Sequence, residues 1–214
     1  MLFTFKQIIK RKSFARALFN AELPAISLRG HVLDVGGGKH QDYLELVQKE
    51  KGTFIDTVDI AVRGQSAQSI DFEKDPLPFA TETFDQVLVF NVLEHIYNHN
   101  FLVGEIGRVL KDGGQLIGFV PFLVNYHPDP HDYFRYTKEA LKKILESKGF
   151  SRIHILEVGR GPFAVNYNNL IFSFPLVVAA VLFPFQYIMD TLFLMLRPGV
   201  RQRYPLGYIF TAKK

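Results

Sequence analysis

The chain has 214 residues, enough for one well-cored domain with appendages and too few for two of ordinary size. Its 25 Lys and Arg against 21 Asp and Glu leave a net charge of only +4, and the basic residues form no nucleic-acid-reading motif. With no cysteine, disulfide frameworks, thiolate nucleophiles and thiolate zinc sites are excluded.

At the N-terminus Leu2, Phe3, Phe5, Ile8 and Ile9 are interleaved with Lys6 and Lys10 and followed by Arg11, Lys12 and Arg16. This is the wrong order for a secretory signal, so the segment reads as mature protein. On a helix its apolar residues through Phe19 form a broad stripe with the cations mostly opposite. Residues 1–29 are therefore expected to be a basic amphipathic helix, either surface-seeking or packed on its own domain.

From residue 31 short β-rich runs alternate with helical ones, the pattern of parallel strands joined by crossover helices. Strands are expected at His31–Val35, Thr53–Ile60, Ser69–Phe72, Phe84–Phe90, Gly114–Pro121, Ser151–Val158 and Tyr204–Ala212. Helices are expected at Gln41–Glu50, Val92–Leu110 and Lys138–Lys148, the last capped by Thr137. The fold class is α/β, a doubly wound, mostly parallel seven-stranded sheet within a domain spanning 30–214.

Residues 161–203 break this rhythm as a hydrophobic insertion, and from Gly161 to Met189 there is no charged residue. The run is long enough to span a bilayer, but the following strand must return to the same sheet. Pro175, Pro184 and Asp190 are expected to leave pieces of roughly ten residues where about twenty are needed to cross. An interfacial hairpin, a helical lid or dimer interface, and a true span all remain open.

The chemistry concentrates at strand ends. His31-Val-Leu-Asp-Val-Gly-Gly-Gly38 is an apolar strand ending in an acid and a glycine cluster. Such glycines let the backbone turn sharply and a ligand approach closely, though any tight turn can use them. The next strand ends at Thr57-Val-Asp59, where an acid suits a ribose diol, and Asp71 follows the third run. Three acids at the ends of successive parallel strands face the edge at which open α/β sheets bind ligands. After the fifth strand comes Asn125-Tyr-His127-Pro-Asp-Pro-His131-Asp132-Tyr-Phe-Arg135-Tyr-Thr137. Its His131 or His127 is a candidate proton acceptor, with Asp132 orienting an imidazole; alternatively the loop simply covers a ligand. A metal is not expected, since the loop offers no third ligand. His95 is assigned to packing or hydrogen bonding at a helix start.

Leu33-Asp-Val-Gly-Gly-Gly38, Asp71 with Pro76-Leu-Pro-Phe79, Phe84-Asp85, Asn91-Val-Leu-Glu-His-Ile96 and Val109-Leu-Lys-Asp-Gly-Gly114 occur together in order. In this the chain resembles the class I S-adenosylmethionine-dependent methyltransferases, over about residues 30 to 158 plus the strand near Tyr204. The resemblance implies a Rossmann-like sheet with an antiparallel last strand. It also implies a cofactor site in which Asp34, Gly36, Gly37 and Gly38 meet the methionine part, Asp59 and Ile60 the ribose, Asp71 and Phe72 the adenine, and Asn91 the methionine side. The family's third glycine is replaced by His40, which argues against a dinucleotide-binding loop.

The resemblance implies methyl transfer to a small-molecule acceptor. The apolar insertion and basic N-terminus extend this to a lipid-linked saccharide or isoprenoid, methylated at oxygen by a cytoplasmic enzyme lying peripherally on the inner face of the cell membrane. No nucleic-acid partner is expected. The competing expectation is a non-catalytic, membrane-associated binding or scaffold module that keeps the fold.

Overall fold

The computed structural model describes residues 1–38, 41–59 and 70–214. Its frame is a six-stranded sheet of β2 (His31–Val35), β4 (Phe54–Val58), β5 (Phe84–Phe90), β6 (Leu110–Pro121), β7 (Ser151–Gly159) and β8 (Pro205–Lys213), in the order β4-β2-β5-β6-β8-β7. β4, β2, β5 and β6 run parallel, while β8 is antiparallel to both β6 and β7, as expected of the last strand. Short β1 (Ser27–Leu28) and β3 (Gln48–Lys49) form a separate parallel pair. Of the expected strand at 69–72, Ile70 and Asp71 are irregular, Phe72 opens a turn, and Ser69 falls outside the described residues.

The central strands are nearly continuous apolar runs because both faces are covered. One face packs against α3 (His99–Val109) and α4 (Lys138–Ser147), around Val87, Leu116, Leu141 and Phe210. Helix α3 buries Leu102, Val103, Ile106 and Val109, the spacing of one helical face. Thr137 caps α4 as expected, its hydroxyl accepting from the Ala140 amide at 3.2 Å. Thr137→Ala is expected to lower stability by about 1 kcal/mol, read by urea unfolding.

Three expected helices differ. Residues 1–29 form two helices, α1 (Leu2–Ile9) and α2 (Phe14–Glu22), because Arg11 takes a positive φ and the Ser13 hydroxyl caps a new start by accepting from the Arg16 amide. The expected helix at Gln41–Glu50 is a 3₁₀ turn at Asp42–Glu45 followed by β3. The backbone there bonds instead to Ile26 and Leu28, a tertiary pairing that overrides helix propensity. The expected helix at Val92–Leu110 begins only at His99. Ahead of it Leu93–His95 is a 3₁₀ turn, and the Glu94 carbonyl accepts from the amides of Tyr133 and Phe134 rather than from a helical partner.

The insertion is helical. It comprises α5 (Pro162–Leu170) and α6 (Leu176–Leu196), and α6 is one continuous 21-residue helix rather than two pieces of about ten. Pro184 sits on its exposed face, where the missing amide is tolerated. Packing on both sides of the proline keeps the helix whole: Phe183 is buried in a cluster with Ile8, Phe14, Ala164 and Tyr167, and Asp190 is buried against α5. The Asp190 carboxylate accepts from the Phe163 and Ala164 amides at 3.0 and 2.8 Å, so it caps the N-terminus of α5 from another helix. Burial pushes its carboxyl above the ordinary value. Helices α1, α2, α5 and α6 thus form a cap with its own core.

Candidate active site

The chain leaves β2 toward β4 on one side and reaches β5 on the other, so the carboxyl end of β2 is a switch point where the crossovers diverge. Asp34 stands there, 1% exposed, and its Oδ2 accepts the hydroxyl of Tyr43. Its Oδ1 is buried with no hydrogen-bond partner among the described residues. Burial raises the Asp34 carboxyl to about 6, against the lowering effect of the Tyr43 bond, and nearby Asp59 adds to the rise. Tyr43 was not singled out in the sequence; its role follows from the turn that replaces the expected helix.

The glycines make the cradle. Gly36 and Gly38 adopt φ of 75° and 56°, a conformation that disfavours other residues. A Cβ on Gly37 would strike the Asp34 carboxylate and the Gln41 amide, and one on Gly38 would come within 3.3 Å of Asp59 Oδ2. The Gly36 amide is tied to the Val58 carbonyl at 2.7 Å, which brings the loop beside the end of β4 and Asp59. An orphaned buried carboxylate oxygen beside a cradle that admits no side chain fits a ligand carrying an ammonium group, such as the methionine part of the cofactor.

Asn91, at φ 54°, ends β5 and completes this edge. Asp71 is half-exposed, pairs with Lys74 at 2.9 Å and accepts the Glu73 amide. Phe72 lies inside the core, which leaves Asp71 as the polar group of that pair. Ile60 and His40 lie outside the described residues.

Beyond Asn91 opens a cavity of about 830 Å³, lined on the loop side by His95, Asn125 and His127 and on the cap side by Arg11, Lys12 and Phe172. His127 therefore faces the cavity. His131 is exposed and packs its ring on Tyr133, centroids 5.3 Å apart, while its carbonyl accepts from His95 Nδ1. Asp132 is bound to Arg135, whose guanidinium holds its carboxyl down to about 2, and it accepts the His127 amide at 2.9 Å. The loop thus brings His127, Asp132 and Arg135 together, whereas the His131 ring packs on Tyr133 and does not line the cavity. The carboxylate of Glu94 holds His127 above the usual imidazole value, with burial opposing it.

The profile of a methyltransferase domain family matches residues 8–155, more than half of the chain. The chain belongs to the class I methyltransferases. Its cofactor is S-adenosylmethionine, and it is an enzyme of methyl transfer. The solved structures agree with this fold at low identity. A SAM-dependent methyltransferase from Archaeoglobus fulgidus is 19% identical, with 93% of this chain and 94% of that one covered and a TM-score of 0.57. The [4+2]-cyclase SpnF is 18% identical over 94% of this chain and 80% of its own, also at 0.57. The 1,6-didemethyltoxoflavin-N1-methyltransferase of Burkholderia thailandensis is 16% identical over 94% and 77%, with a TM-score of 0.52. No curated protein sequence matches the chain.

Proposed function

We propose that this methyltransferase methylates an oxygen of a small, lipid-linked acceptor, a saccharide or isoprenoid, taken from a membrane surface on which its cap rests. The observation that carries the reading is the course of the cavity. It runs from Asn91, at the cofactor edge, to Phe172, an exposed ring of the apolar cap, with Arg11 and Lys12 beside it.

The outer face of α6 exposes Val181, Phe185, Ile188, Leu192 and Met195, a row one helical face wide and about 20 Å long. Leu2, Phe3 and Ile9 of α1 are exposed as well. A soluble monomer seldom leaves so much contiguous apolar surface open, and the neighbouring Lys6, Lys10, Arg11, Arg197, Arg201 and Arg203 suit anionic headgroups. By length and a mean hydropathy of 1.8, α6 is also capable of crossing a membrane. Its inner face carries Gln186 and the engaged Asp190 and packs on α1 and α5, which favours lying on the surface.

At the other end of the cavity, Asp34, the Gly36–Gly38 turn, Asp59, Asp71 and Asn91 hold the cofactor, which supplies an electrophilic methyl group on a sulfonium. The protein's task is then alignment of the acceptor and removal of its proton. His127, which lines the cavity, is the imidazole offered for that proton, with Asp132 and Arg135 fixing the loop.

The test is incubation of the enzyme with methyl-labelled cofactor and a membrane lipid extract, alongside sedimentation with phosphatidylglycerol vesicles. Label is expected in the solvent-extractable lipid, and the protein is expected to pellet with the vesicles. Phe185→Glu with Ile188→Glu should weaken vesicle binding at least tenfold without unfolding the chain. Label confined to water-soluble products, or a protein that stays in the supernatant, would defeat the lipid-linked reading.

A further inference from the structure

Glu94 is the carboxylate that stands out among the described residues. It is 0% exposed, and neither of its carboxylate oxygens has a hydrogen-bond partner among the described residues. A buried carboxylate in that state is strongly unfavourable unless a counter-charge satisfies it. Two imidazole nitrogens face it: His95 Nε2 lies 3.7 Å from Glu94 Oε1, and His127 Nε2 lies 3.9 Å from the same oxygen. The three ligand atoms all fall within 4.8 Å of one another.

The far side of each ring is already engaged. His95 Nδ1 donates to the His131 carbonyl at 2.5 Å, and His127 Nδ1 donates to the Asn125 carbonyl at 2.8 Å. Because a carbonyl can only accept, each Nδ1 carries its proton, and a neutral ring then presents the Nε2 lone pair toward Glu94. Arg135 Nη2 also approaches His127 Nδ1, at 3.2 Å, but the shorter bond to Asn125 decides the proton's place. This is how proteins fix imidazoles that bind metals: the outer nitrogen is anchored to the backbone and the inner one is aimed at the ion.

We propose that Glu94, His95 and His127 form a binding site for one divalent transition-metal ion at the wall of the acceptor cavity. Two imidazoles and a carboxylate favour zinc, manganese or iron over magnesium or calcium. Ligand atoms around four-coordinate zinc stand about 3.3 Å apart, so the two gaps to Glu94 need to close by only about 0.5 Å, and the two imidazole nitrogens, within 4.8 Å of each other, by at most about 1.5 Å. Three protein ligands leave a coordination position free, and His95 and His127 both line the cavity. On the proposed reading of the site, that position takes an acceptor oxygen and lowers the pKa of its hydroxyl; His127 then serves as a ligand rather than as the base, and the proton leaves to solvent in the open cavity.

Sequence order hides this site. The loop after β6 offers histidines without a third ligand, and that ligand comes from the 3₁₀ turn after β5, brought alongside by the amide bonds of Tyr133 and Phe134 to the Glu94 carbonyl.

The test is calorimetric titration of the chelator-stripped full chain with zinc and, separately, with manganese and magnesium, while cofactor binding is measured on the same preparation. One equivalent of zinc is expected at micromolar affinity or tighter, with magnesium at least 100-fold weaker. Glu94→Gln, which keeps the side-chain shape, and His127→Asn should each weaken zinc at least 30-fold while retaining cofactor affinity. Circular dichroism establishes folding, and His127→Asn at the half-exposed position decides the matter if Glu94→Gln does not fold. Folded wild type that takes up no zinc, or variants that bind it as the wild type does, would overturn the site whatever the cofactor result.

Discussion

Asp34→Asn is expected to weaken S-adenosylmethionine binding by about 2–3 kcal/mol, roughly 30- to 150-fold, and at the same time to stabilise the ligand-free enzyme at neutral pH. Both effects come from one buried carboxylate. Its Oδ1, unpartnered among the described residues, is the group we propose receives the ammonium of the methionine part, and the amide of asparagine offers no charge for that contact. The same charge is unfavourable when the ligand is absent, because burial has raised the carboxyl from 3.8 to about 6.

The sign follows from that rise. A carboxyl with a folded-state pKa above its unfolded value gives stability that is fully present below the unfolded value, pH 3.8, and is lost as pH climbs through about 6. A shift of about two units corresponds to at most about 3 kcal/mol, the upper limit of what Asp34→Asn recovers at pH 7.5. Cofactor binding, which needs the carboxylate, should run the other way. Wild-type affinity is expected to fall about fivefold as pH drops from 6 to 5, and the asparagine variant should be flat across that range. Calorimetry between pH 5 and 7, with thermal unfolding of the ligand-free proteins, checks both halves. A wild type with pH-independent affinity, or a variant less stable than the wild type at pH 7.5, would show that the charge at Asp34 does not govern the site.

The proposed cofactor edge could be assembled from the sequence because its residues are local. Asp34, the Gly36–Gly38 turn and Asn91 each sit where a strand ends, and parallel strands bring those ends together without further information. What was not legible depends on contacts between distant segments. Tyr43 lies in a stretch with helical character that pairs instead with β1, and only that pairing delivers its hydroxyl to Asp34. Asp190 reads as an interruption of an apolar run, yet it is the cap of α5, a role visible only once α5 and α6 are antiparallel neighbours. Glu94 looks like one more residue of a helix start. Its burial between two histidines from different elements required the loop of residues 125–137 to close over it. The same limit explains α6. Pro184 is a helix breaker by local rules, whereas Phe183 and Asp190 keep the helix continuous through it from one side.

Phe183→Ala is expected to separate the cap from the cofactor site. Phe183 is 1% exposed, and its ring meets those of Phe5, Phe14, Tyr167 and Tyr187 at centroid distances of 5.3, 5.8, 6.1 and 6.0 Å. It therefore joins α6 to α1, α2 and α5 at one point, and truncating a phenylalanine in such a place costs about 3–5 kcal/mol. In a chain of this size that corresponds to a fall in Tm of roughly 6–20 °C if the molecule unfolds as one unit. The cap has its own apolar cluster, distinct from those on the two faces of the sheet, so the loss should be concentrated there. Hydrogen exchange is expected to accelerate in α1, α2, α5 and α6 well before β2, β4 and β5. Cofactor affinity, which rests on the ends of those strands, should stay within about threefold, while methyl transfer to the acceptor falls at least tenfold because the cap side of the cavity is no longer held. Unchanged exchange in the cap helices would mean that Phe183 is not their joint. Cofactor binding lost in parallel with the cap would mean that the two regions fold as one cooperative body, and that the acceptor side cannot be altered without the cofactor side.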